Sequence, residues 1–298
     1  MKRCFLLLVI LILAPSIAAP AFAMDVMVGA KAGYYIWSPF YKDGVGASGM
    51  NDIDYGAGVL AGPIFSLLIT SDLTFSLAGL AGRQSTHWQT KFKEYDFESG
   101  NKNISGGYYF DALRIDIDTA LSYRISDIVK VFAGYKLLYL KTDYKYTELR
   151  SDLGTNDLEE VDMMDTTFVT PLHGPALGIG VSLPLSERVF VSANISGLYM
   201  IGTFDDTKNK VYSYNPENFQ LPPLDTNEPD FKKTSMEQFG LNVEPAIGFN
   251  PGNGLPLISL GFRFQWMRVH FTEKNQELPD DWFDDYLYGV FVSAVYVF

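Results

Sequence analysis

Residues 114 to 124 read RIDIDTALSYR, with Asp116 and Asp118 two positions apart. A D-x-D pair can ligate a metal, form a catalytic carboxylate pair, or serve as two structural charges. Three histidines, His87, His173 and His270, would be enough to hold a zinc ion if they converged. Acidic doublets at Glu159-Glu160, Asp205-Asp206, Asp280-Asp281 and Asp284-Asp285 offer hard oxygen ligands for divalent cations, but without EF-hand spacing. They read more simply as solvated, mutually repelling loop tips. Gly178-Ile179-Gly180 lacks the following helix that a nucleotide site needs. Which chemistry is open to these residues depends on the elements that carry them.

The chain opens with Lys2 and Arg3, an apolar run from Phe5 to Leu13, and Ala21-Phe22-Ala23. These are the three parts of a secretory signal peptide, so residues 1–23 are expected to be removed and 24–298 to form one domain. The only cysteine, Cys4, leaves with the leader, so no internal disulfide is available. The formal charge of −12 becomes more negative without Lys2 and Arg3, which argues against a nucleic-acid partner. Aromatic residues make up 15% and glycines number 26, with no later run of 18 apolar residues to form a membrane helix. An exported, aromatic-rich chain of this kind suggests an all-β transmembrane barrel.

Period-two alternation supports that reading. From Asp111 to Arg124, Leu113, Ile115, Ile117, Thr119, Leu121 and Tyr123 share one face. Arg114, Asp116, Asp118 and Arg124 share the other, because side chains reverse at each residue of a strand. Similar segments run over Val26–Trp37, Tyr55–Leu67, Leu73–Ala81, Val129–Tyr139, Leu177–Leu183, Val189–Ile201, Phe239–Phe249, Ile258–Trp266 and Tyr286–Phe298. The spacing predicts an antiparallel up-and-down barrel of ten strands, with eight or twelve as the alternatives. Connections at Ser71-Asp72, Ser126-Asp127, Ser186-Glu187 and Pro251–Gly254 are short. Those over Ser38–Asp52, Gln89–Gly106, Glu148–Thr166, Phe204–Ser235 and Thr272–Asp285 are long and polar. Short periplasmic turns and long extracellular loops are the expected assignment. Pro63, Pro171, Pro175 and Pro245 predict bulges or strand ends, since proline cannot donate to a ladder.

Aromatics gather where two membrane interfaces should lie: Tyr34, Trp37, Trp88, Tyr108, Tyr109, Tyr144, Tyr199 and Trp266 at one level, and Phe65, Phe75, Tyr123, Phe190, Phe249 and Tyr296 at the other. The chain ends LYGVFVSAVYVF, with Val290, Val292, Ala294 and Tyr296 on the face of the terminal Phe298. This ending resembles the closing strand of bacterial outer-membrane β-barrel proteins. The resemblance implies recognition by the barrel-assembly machinery and residence in the outer membrane, with its lipids and lipopolysaccharide as surroundings.

If the apolar face meets lipid, the charges must point inward, since Arg or Lys at the outer midplane costs roughly 2–4 kcal/mol. Lys31, Lys136, Asn194, Asn242, Glu244, Arg263 and Gln265 then join Arg114, Asp116 and Asp118 in the lumen. A turn centred on Asp127 sets Asp118 opposite Lys136, and one between Asn253 and Gly254 sets Glu244 opposite Arg263. Opposed charges on one face can pair and fill a small lumen.

Length and strand number are similar to those of the omptin family of outer-membrane proteases. That resemblance implies an Asp-Asp pair and an Asp-x-His couple at the outer rim. Here Asp116 and Asp118 count to the lower half of their strand, while Arg268 and Pro171 stand where the couple's aspartate should precede His270 and His173. The three histidines map to separate strands, with His173 and His270 turned towards lipid. The expected function is therefore an integral outer-membrane barrel with a structural or surface role and a charged, largely plugged lumen, without enzyme activity, cofactor or metal. A narrow porin-like channel, a hydrolase or a loop-based adhesin are the alternatives.

Overall fold

A computed structural model describes residues 25–40, 56–96, 100–152, 158–214, 233–252, 254–272 and 282–298. The predicted leader, residues 1–23 with Cys4, and the doublet at Asp280-Asp281 lie outside them. Ten antiparallel strands form one closed barrel. They are β1 (Val26–Ser38), β2 (Gly56–Leu68), β3 (Leu73–Asp96), β4 (Gly100–Arg124), β5 (Val129–Asp152), β6 (Leu158–Pro184), β7 (Val189–Tyr214), β8 (Thr234–Phe249), β9 (Leu257–Phe271) and β10 (Phe283–Val297). Each strand pairs with its sequence neighbours, and β1 closes on β10 from Met27 opposite Val297 to Ser38 opposite Tyr286.

The alternation has a physical basis in this barrel. Outward positions carry Val59, Leu177, Ile195, Leu260 and Val290, all exposed, while their strand neighbours turn inward. Exposed apolar residues in that density would be unfavourable in water and are favourable against lipid. The short turns are built alike. Thr70, Ser126 and Ser186 each accept two backbone amides on the hydroxyl, from Asp72 and Leu73, Ile128 and Val129, and Arg188 and Val189. Such local acceptors replace ladder bonds where the chain reverses. In the fourth turn, Gly252 and Gly254 have φ of 74° and 73°, a region glycine enters without strain.

Several expectations need correction. Strands β3 to β7 have 24 to 27 residues, against 13 to 16 for the others. Much of the predicted loops Gln89–Gly106 and Glu148–Thr166, and the start of Phe204–Ser235, is therefore strand. A membrane crossing needs only about 9–11 residues, so five strands continue well beyond the bilayer as a sheet. The four prolines lie inside strands, all facing outward. The register shifts occur elsewhere, between Arg150 and Ser151 and between Thr167 and Phe168. Each proline keeps pairing on one flank, as in Ala30 opposite Pro63 and Tyr139 opposite Pro171. On the other flank the ladder skips it and resumes in register.

The aromatic girdles also need revision. Tyr34, Tyr199, Tyr123, Phe249 and Tyr296 do stand outward. Trp37 and Tyr144, however, are buried inside. Phe190 turns inward too, its ring lying where a Cβ on Gly248 would otherwise sit.

Candidate functional site in the lumen

The sequence-predicted lumen residues come from strands far apart in the chain, and the register brings them to one layer. Asp118 stands opposite Lys136 in the β4–β5 ladder, and Lys136 Nζ donates to Asp118 Oδ1 at 2.9 Å. Lys31 Nζ donates to Glu244 Oε2 at 2.8 Å and lies 3.8 Å from the Phe291 ring centroid. The β8–β9 ladder skips Glu244 beside Pro245, yet Arg263 Nε remains 3.3 Å from Glu244 Oε1. Arg263 also donates to Asn242 at 3.0 Å and to Gln265 Oε1 at 2.9 Å.

Asp116 is the hub. Its Oδ2 lies 3.4 Å from Arg114 Nε, 3.5 Å from Lys136 Nζ and 3.7 Å from Arg263 Nη1. Its side chain is 0% exposed, whereas that of Asp118 is 41% exposed. Arg263 Nη2 reaches Asp118 Oδ2 at 3.8 Å. Both carboxylates are therefore held by cations, which suits electrostatic stapling rather than proton abstraction, where a base needs its acceptor available. Arg114 Nη1 and Nη2, both Gln84 amide atoms, the Tyr35 hydroxyl and Gln265 Nε2 are buried without a protein partner among the described residues. Buried polar groups so placed are normally bridged by internal water.

Above this layer a large apolar cluster shares the lumen with buried polar side chains, among them Gln84, Thr142, Gln238 and Asp285. Leu60, Phe110, Leu138, Leu140, Leu172, Leu198, Met200, Phe204, Met236, Met267, Val269 and Leu287 fill the extracellular half as one cluster. Phe204 stacks on Phe168 at 4.9 Å and meets Phe40 and Phe271 edge-on at 5.8 and 5.9 Å. Sequence reasoning named only the charged and amide residues of the lumen and did not single out this core. It also missed Tyr35 and Trp37, although both share the face of Lys31 by parity.

The doublet Asp284-Asp285 is not a loop tip. Both residues lie on β10, Asp285 buried and accepting from Trp37 Nε1 at 2.9 Å, Asp284 outside and accepting from Trp266 Nε1 at 2.9 Å. Two close tryptophan donors, one on each side of the wall, replace the repulsion expected of paired carboxylates in water. Of the other doublets, Glu159-Glu160 falls within β6 and Asp205-Asp206 within β7.

The histidines stay apart, as their strands require. His173 faces outward, with Nδ1 2.6 Å from the Tyr135 hydroxyl. His270 Nδ1 lies 3.3 Å from Glu237 Oε1, and its ring stacks on Trp282 at 4.5 Å. His87 is on β3, its side chain outside the described residues. Among those residues no three His, Cys, Asp or Glu groups converge as a metal ion would need. Val290, Val292, Ala294, Tyr296 and Phe298 all point outward, and Phe298 is 74% exposed. Its backbone pairs with Val26 in both directions.

A closed ladder with an apolar outer belt and an inward charged layer defines a transmembrane β-barrel of the bacterial outer-membrane class. No family model matches the chain, and no curated protein matches it. Solved structures similar to it include the outer membrane protease OmpT from Escherichia coli, at 8% identity and a TM-score of 0.42 over 94% of this chain and 99% of that one. The toluene transporter TodX of P. putida is 9% identical with a TM-score of 0.31, covering 93% of this chain and 91% of its own. A major outer membrane protein from Thermus thermophilus is 10% identical with a TM-score of 0.27, covering 93% of this chain and all of its own. None of these likenesses bears on substrate or activity.

Proposed function

We propose that this chain is a sealed outer-membrane barrel whose role lies on the extracellular side, in the sheet raised by β3 to β7. The observation that supports this reading is the buried ion-paired layer with the apolar cluster above it. The ion-paired layer around Asp116 is capped by a continuous apolar cluster reaching Phe204 and Phe271. A solute path would have to break the ion pairs, which is costly in a buried site. The same packing favours the plugged reading over a porin-like one. A hydrolytic role has no support from Asp116 and Asp118, each engaged by cations. Extended β3–β7 strands favour a surface role such as adhesion or partner binding.

Reconstitution into planar bilayers tests the seal. No sustained single-channel current is expected from the wild type. Stable conductance steps that change in a Lys136→Ala/Arg263→Ala variant would overturn the reading and establish a pore.

A further inference from the structure

Below the charged layer lies a cavity of about 560 Å³, reaching the short turns and bordered by Arg124, Lys130, Ser182, Phe190, Ser192 and Asn194 among others. Arg124 and Lys130 face each other directly across the β4–β5 ladder, on the lumen side. Both are exposed to solvent, and like charges directly opposite each other destabilise a sheet even where water weakens the repulsion. Among the described residues neither side chain has a hydrogen bond or an ion pair.

The surrounding acids do not relieve the pair. Glu244 belongs to the same lateral row, through Gly180 and Asn194, but is taken by Lys31 at 2.8 Å and Arg263 at 3.3 Å. Asp118 is taken by Lys136 and Arg263. Asp127 also lines the cavity, from the turn, and makes no ion pair with either cation.

The cavity is also shaped for the Lys130 side chain. A Cβ on Gly180 would lie 2.4 Å from Lys130 Cε and 2.6 Å from Asn194 Oδ1, so glycine lets the lysine cross the floor towards Asn194. Ser182, Ser192 and Asn194 add neutral hydrogen-bonding groups, and Phe190 supplies one apolar wall. Two cations without protein partners, neutral hydrogen-bonding groups and a concave space are the elements of an anion site.

We propose that this cavity binds a small phosphate- or carboxylate-bearing dianion from the periplasmic side, with Arg124 and Lys130 as the charge receptors. The proposal goes beyond the sealed-barrel reading, since a pocket open below is compatible with a lumen closed above.

Isothermal titration of the detergent-solubilised full barrel tests it, with inorganic phosphate and succinate as probes. Saturable one-to-one binding is expected, weakened roughly tenfold for each cation removed in Arg124→Gln and Lys130→Gln, about the loss of one charged hydrogen bond. Arg188→Gln, an exposed turn cation outside the cavity, should bind as the wild type does. Without ligand, either cavity variant should unfold no more easily than the wild type, because it relieves the opposed charges. Heat-dependent gel mobility verifies folding. Competition by vesicles containing phosphatidic acid, a phosphomonoester, would assign the anion to a lipid headgroup, and indifference to them a soluble solute. Absence of saturable binding with both probes, unchanged affinity in the double variant, or an equal loss in Arg188→Gln would overturn the site.

Discussion

The two aspartates of the D-x-D stretch should differ sharply when neutralised. Asp116→Asn keeps the side chain's shape but removes the charge that faces Arg114, Lys136 and Arg263 at 3.4, 3.5 and 3.7 Å. All three cations are almost fully buried, at 0%, 1% and 2% exposure. Breaking a buried pair by removing one partner costs about 3–5 kcal/mol, because the remaining charge stays desolvated. Asp118→Asn removes a group whose side chain is 41% exposed, where solvent screens it, so a loss of about 1 kcal/mol or less is expected. The assay is denaturant unfolding of the barrel refolded in lipid vesicles, followed by tryptophan fluorescence and heat-dependent gel mobility. Asp116→Asn should lower the folded-to-unfolded ratio roughly a hundredfold or more. Adding Lys136→Met should recover part of the loss, by removing one stranded cation. The reasoning is refuted if Asp118→Asn costs as much as Asp116→Asn.

Trp37→Phe should destabilise by about 1–3 kcal/mol in the same assay, since Asp285 loses a buried donor. Gly248→Ala should cost about 1–3 kcal/mol by overpacking, because its Cβ would lie 2.0 Å from the Phe190 ring. Gly79→Ala, with nothing within 4 Å of the new Cβ, should be close to neutral, and Phe190→Ala should rescue Gly248→Ala. Deleting Phe298, which is exposed with its ring 6.3 Å from that of Tyr296, should leave folding into vesicles intact while lowering the amount assembled in cells, measured by membrane fractionation.

The lower half of the barrel is legible in the sequence because its two faces differ in polarity. Asp116, Asp118, Lys136 and Arg263 alternate with Ile115, Ile117, Leu137 and Phe262, and the short turn at Ser126-Asp127 sets Asp118 opposite Lys136. The upper half is less legible because that contrast disappears. Leu138 and Leu140 face inward between the outward Leu137 and Tyr139, and Met200 lies between Tyr199 and Ile201. A strand buried on one side and bathed in lipid on the other reads as a continuous apolar run, so period two fails as a signal. Further along, the outward face turns polar, as at Lys141, Asp143 and Lys145, and the same strand resembles a loop. Trp37 is hard to place for a different reason: it adjoins a long connection, which suggests an interface, while its parity with Lys31 turns it inward.

Closure of β1 on β10 makes the two ends of the chain into neighbours. The first strand gains its second partner only when the last strand has been made. Until then any shorter chain carries two open edges, one at Val26–Ser38 and one at the most recent strand, each a template for unwanted pairing with another molecule. Stability and protection from aggregation thus arrive together, late, and from a single hairpin-free contact between the oldest and youngest parts of the protein.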